Sequence, residues 1–198
     1  MGKKSDKNYE TEFEFSFEGV GDKLRGAASK LEMGDQDIKI SSFSEAIDEA
    51  TSASVSLQGV LGNLCVEALT ASKNLIEADL AYIGEVEFSA TGDTEKVIRL
   101  RQRGKGFRFL GNKDSLHWNV RLSPDLPLAL KLRGGVGKAQ LDLTGLNLTA
   151  LALHGVVAKT QISLPEAEEG YKVHIHGNVG QITIDLPQNT DVKLHMHG

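Results

Sequence analysis

The chain of 198 residues has a formal net charge of −5, 40% hydrophobic residues and one cysteine. That apolar content supports a real core, while no run of 18 apolar residues is present to span a bilayer. A lone Cys65 excludes intrachain disulfides and a thiolate zinc site. The charge is segregated: residues 1–95 sum to −11, residues 96–138 to +9 and residues 139–198 to −3. A basic middle between acidic ends points either to an anionic partner or to pairing within the molecule.

Residues 1–10 are polar and are expected to form a disordered tail. They hold neither the apolar h-region of a signal peptide nor a myristoylation pattern, because Asp6 stands where Ser or Thr is required. A cytoplasmic chain that reaches the membrane only through a partner is the expectation. Phe13, Phe15 and Phe17 alternate with polar residues, the signal of a strand. Leu24, Ala27, Ala28 and Leu31 fall on one side of a short helix over 22–31. Ile38 and Ile40 predict another strand, and residues 41–52 read as a loop or a helical turn. Together, residues 11–54 are expected to cap a repeat domain over 55–198.

From Val55 onward one unit recurs. Leu64/Val66/Ala68 and Val86/Phe88/Ala90 read as first strands, and Ile76/Ala78/Leu80 and Ile98/Leu100/Gln102 as second strands 22 residues apart. After a glycine-punctuated insertion at 104–117, Trp118, Val120 and Leu122 sit 21 residues before Ala139, Leu141 and Leu143. Leu128, Leu130 and Leu132 sit 21 before Thr149, Leu151 and Leu153. The last three copies align Val136, Val157 and Val179, then Leu141, Ile162 and Ile184. Pro124, Pro165 and Pro187 fall just after first strands, where a turn is needed and no ladder donor is lost. A fixed period with period-2 alternation inside it predicts an all-β solenoid of about six coils.

The stretches GVGKAQLDLTGLNLT (135–149), GQITIDLP (180–187) and WNVRLSPDLPL (118–128) resemble the bacterial toast-rack family. That family includes the C-terminal domains of LiaF-type cell-wall-antibiotic-response proteins and candidate adhesin domains. The resemblance covers about residues 50–198 and implies a single-stranded right-handed β-solenoid. It also implies a non-catalytic binding or scaffold role in a bacterial cell-envelope or envelope-stress system, and supplies no catalytic motif.

Residues between the inward leucines should face outward. Stacking the second strands in chain order puts Arg101, Lys131, Ala152, His174 and His195 in one column, and Arg103, Arg133, His154, His176 and His197 in the next, with Arg99 one step away over Glu77. Column neighbours lie about 4.7–4.9 Å apart, and opposed like charges destabilise a sheet. Three readings stay open: a solvated face; an anion site built by Arg99, Arg101, Arg103, Lys131 and Arg133; or a site for zinc or a similar divalent metal built by His154, His174, His176, His195 and His197. Sequence-specific nucleic-acid binding is not expected, since the stripe lacks interleaved aromatics and Phe107 and Phe109 of the basic insertion are the only candidates.

Gly134 to Ala139 mimics the end of a phosphate-binding loop but has Leu132 and Ala139 where Gly and Ser/Thr are required. Cys65 faces outward with no histidine in its own copy, so no nucleophile is expected there. Asp142 and Asp185 read as solubility and edge protection. No enzyme is therefore expected. The last strand, finishing at 196–198, shows no cap, which predicts a protein partner or self-association through the solenoid ends.

Overall fold

Alternating apolar residues build strands whose inward sides must meet one another. The computed structural model describes residues 38–103, 115–166, 170–177, 180–188 and, for the backbone, 193–197. The tail at 1–10, the strand at Phe13–Phe17, the helix over 22–31 and most of the insertion at 104–117 lie outside the described residues.

The described elements are β1 (Lys39–Ala46), β2 (Ser52–Ala68), β3 (Asn74–Tyr82), β4 (Glu85–Thr91), β5 (Glu95–Arg103), β6 (His117–Leu122), β7 (Leu128–Asp142), β8 (Leu148–His154), β9 (Val157–Ser163), β10 (Lys172–His176), β11 (Ile182–Asp185) and β12 (Lys193–His197). They join in one open sheet that folds over at a corner. β2 and β7 are long because each crosses that corner. Residues 53–58 of β2 pair with 128–133 of β7, and residues 60–66 with 135–141.

On the first side of the corner the order is β4-β5-β2-β7-β8-β10-β12. On the second it is β1-β3-β6-β2-β7-β9-β11. Val55, Leu57, Leu100 and Leu130 from the first side meet Leu64, Val66, Trp118 and Ile162 from the second in one core. None of these is more than 5% exposed, and each such side chain contributes about 1.5–3 kcal/mol by burial.

The corner requires glycine. Gly62 has φ +103° and Gly137 φ +146°; a Cβ on Gly137 would collide with the Gly62 carbonyl, and one on Gly62 with the Leu116 carbonyl. An inward Gln102 is satisfied here: its Nε2 donates to the Ile83 carbonyl at 2.8 Å and its Oε1 accepts from the Leu61 amide at 3.3 Å.

The parallel repeat holds from β7 onward: Leu130 pairs with Leu151 and Leu151 with Val173, while Leu141 pairs with Ile162 and Ile162 with Ile184. A bulge at 128/129 sets Leu128 against Leu148 rather than Thr149.

Upstream, the structure departs from a simple stack. Residues 41–46 belong to β1 instead of a loop. β3 is not a second strand; it runs antiparallel between β1 and β6 on the other side of the corner. β4 is not a first strand; it runs antiparallel to β5 on the first side. Trp118 is level with Ala139, but Leu64 stands between them. Phe43 of β1 stacks on Phe88 of β4, ring centroids 5.2 Å apart, where the two antiparallel edges meet.

Candidate functional site

The outer face of the first side carries the residues singled out by spacing, because their neighbours in β7, β8 and β10 bury leucine, valine and isoleucine. Register places Arg133, His154, His176 and His197 in one column, and Lys131, Ala152, His174 and His195 in the next. That much of the expected stripe forms at the backbone level.

The basic residues of β5 join it differently. β2 lies between β5 and β7, so Gln58 separates Arg101 from Arg133, and Ser56 separates Arg99 from Lys131. Arg101 thus belongs to the column expected for Arg103, and Arg99 to the one expected for Arg101. An uncharged strand between two basic ones doubles the charge separation to about 9.6 Å and halves the Coulomb repulsion.

Arg103 lies outside both columns: it pairs across to Glu85 and its Nε binds Glu87 at 3.0 Å. Glu77 does not lie under Arg99; it binds Arg121 at 3.2 Å on the second side, where Arg121 also reaches Asp79 at 3.0 Å. Part of the basic middle is therefore neutralised inside the molecule. Among the described residues, Arg99, Arg101, Lys131 and Arg133 make no ion pair.

His154 is half-buried beside these charges, with its ring centroid 6.3 Å from that of His176 and tilted 59°. Burial first, then Lys131, Arg133, His176 and His174, hold its pKa below the ordinary 6.5. Among the described residues no three His, Cys, Asp or Glu side chains converge on a metal-sized site.

The second side's outer face differs. Burial above all, then Glu67 and Asp142, pushes the Cys65 thiol up to about 11, which leaves it a poor nucleophile. A depression of about 590 Å³ lies where β7, β9 and β11 end, lined by Thr144, Ser163, Glu166, Asp185 and their neighbours. There Ser163 Oγ donates to Asp185 at 3.3 Å, and among the described residues no histidine lines it to act as base.

Two features escaped the spacing analysis. The inward Lys96 is buried and bonded to Glu45 and Asp48; its signal was a lysine in phase with Ile98 and Leu100. The second is the extension of the recurring outer-face acids Asp142 and Asp185 to Glu67 on the second side, invisible until β6, β2 and β7 are known to be neighbours.

These features define an all-β protein of stacked strands with a charged outer face and, among the described residues, no helix long and apolar enough to cross a membrane. The chain belongs to the toast-rack family: residues 27–185 match the family's model for the N-terminal domain of toast_rack. It is similar to a solved structure described as a candidate cell adhesion protein from Clostridium sporogenes, with 23% identity over 77% of this chain and 74% of that one and a TM-score of 0.64. That likeness extends to the fold. No curated protein matches the chain.

Proposed function

We propose that this chain is a non-catalytic binding and scaffold domain of a bacterial cell-envelope or envelope-stress system. In this reading it recognises an anionic partner through the outer face of β5, β2, β7, β8 and β10. The observation that carries it is the set of four cations, Arg99, Arg101, Lys131 and Arg133, which make no ion pair among the described residues and stand beside the histidine columns on one face. Ser56 and Gln58 keep these cations from opposing one another directly, so the face holds four positive charges at reduced mutual repulsion. Family membership and the adhesion-related description of the Clostridium protein support a binding role. The parallel coils would continue as a right-handed solenoid, working in the cytoplasm and meeting the membrane through its partner.

Polyphosphate is the probe. A saturating titration followed by thermal melting should stabilise the wild type, by about 2.7 kcal/mol at a hundredfold excess over Kd. Lys131→Ala/Arg133→Ala should abolish the shift. Zinc tests the histidine columns as a second reading: a shift with zinc and none with polyphosphate would make this a metal face. No shift with polyphosphate sinks the anion reading.

A further inference from the structure

The acidic column on the opposite face is the other half of this surface. Through β3, β6, β2, β7, β9 and β11 its outward residues run Glu77, Arg121, Glu67, Asp142, Ser163 and Asp185. Glu77 is neutralised by Arg121. Glu67, Asp142 and Asp185 make no ion pair among the described residues. Glu67 and Asp142 crowd each other: burial first and Asp142 after it raise the Glu67 carboxyl above its ordinary 4.5, against the pull of Arg121. The column therefore concentrates negative charge at one level of the second side, whose outer face also carries Lys138 paired with Lys159 four residues earlier on the same strands, while the columns of the first side concentrate positive charge.

The order of charges matches as well. Asp142, Ser163 and Asp185 read charge, hydroxyl, charge across three adjacent strands. Arg133, Gln58 and Arg101, and in parallel Lys131, Ser56 and Arg99, read charge, neutral polar, charge across three adjacent strands. Both carry their charges at the same two-strand interval of about 9.6 Å. A flexible polyanion needs no such period, whereas another β-ladder has it by construction. Within one molecule the two columns lie on opposite sides of the fold-over sheet and cannot meet.

We infer that the partner of the basic face is the acidic column of a second copy of this chain. Asp142 faces Arg133 and Lys131, Ser163 faces Gln58, and Asp185 faces Arg101 and Arg99, with the two stacks running in opposite directions. The reverse alignment would bring Glu67 toward Glu87, which lies opposite Arg101, so charge selects the first. Because the surfaces are different, the contact leaves a free basic face on one copy and a free acidic face on the next. Such a heterologous contact propagates, which suits a scaffold.

The inference rests on the basic face being a recognition surface. Sedimentation velocity on the full chain at neutral pH separates the two ideas. At about 0.01 M ionic strength, where charges act over about 30 Å, the wild type should associate with rising concentration, and at about 1 M, where they act over about 3 Å, it should be a monomer. Lys131→Glu/Arg133→Glu and Asp142→Lys/Asp185→Lys should each be monomeric alone. Mixed in equal amounts they should associate, because each now offers the face the other lacks. Lys131→Gln/Arg133→Gln, a milder change, should weaken association at least about tenfold. Wild-type monomers at low salt, or association unchanged in these variants, would overturn the inference. If polyphosphate still binds such a monomer, the anion-recognition reading stands and the second copy is excluded; if polyphosphate also fails, both fall.

Discussion

Replacing Lys96 with methionine isolates the one buried charge in the described core. Its Nζ donates to Glu45 Oε1 at 2.9 Å, the Ala46 carbonyl at 2.6 Å and Asp48 Oδ2 at 2.7 Å, so one ammonium ties β5 to the end of β1 and to the turn that follows it. The lysine side chain is 6% exposed. A hydrogen bond to a charged group contributes about 1.5–3 kcal/mol. Solvent reduces the share of Asp48, which is 64% exposed, toward about 0–1 kcal/mol. Methionine keeps most of the stem's packing, so the expected loss is about 3 kcal/mol; alanine adds a cavity and should lose about 4–5 kcal/mol. For a chain of this size, about 3 kcal/mol lowers Tm by about 6–12 °C.

Urea is the denaturant to use, since a salt would screen the interaction under test. The hydrogen bond to Asp48 leads the causes that raise Lys96 above the ordinary lysine value of 10.5. The folded state holds this proton more tightly, so the contribution is complete below the unfolded pKa and disappears as pH rises through the folded one. The methionine deficit should therefore be flat from pH 7 to 9 and shrink only above about 10.5. A variant within about 0.5 kcal/mol of wild type, or a deficit already shrinking between pH 7 and 9, refutes this account.

Two further outcomes follow from the histidine and the thiol. His154 has a lowered folded pKa, so the unfolded chain protonates first and wild-type stability should decline as pH falls through about 6.5. Melts at pH 7.5 and 5 should show a shallower decline for His154→Gln; identical slopes would refute the assignment. With its thiol pushed up to about 11, Cys65 in the native protein should react with a disulfide reagent at pH 8 at least about a hundredfold more slowly than in urea. Glu67→Gln should speed it modestly, because burial outranks Glu67 among the causes. Equal native and unfolded rates would count against a buried thiol.

Much of the binding face was legible before the strands were placed. Leu130, Leu132, Leu151, Leu153, Val173 and Ile175 announce their inward side by alternation, so Lys131, Arg133, His154, His174 and His176 between them had to face outward on neighbouring strands. The acidic column was legible only in part. Asp142 and Asp185 recur on the outer face of first strands at the level that Leu141, Ile162 and Ile184 share, and β9 stands between β7 and β11 as the repeat implies; the place of Glu67 was not legible. Glu67 joins them because Val66 pairs with Leu141, across 75 residues of chain. Lys96 showed itself as an inward lysine, but its partners come from a segment read as a loop.

The sequence by itself determined most of the strands (residues 41–46 of β1, read as a loop, are the exception), the side of each that is buried and, from β7 onward, which residues share a level. Period-2 alternation and a 21- to 22-residue repeat carry that information locally. The tertiary structure alone decided who stands beside whom. Alternation is identical in parallel and antiparallel strands, so it could not reveal that β3 and β4 run against their neighbours. A repeat sets the height of a residue and leaves the order of strands open, so it could not place β2 between β5 and β7. That order is a long-range choice. It puts Ser56 and Gln58 between basic residues that would otherwise be adjacent, and brings Glu67 beside Asp142.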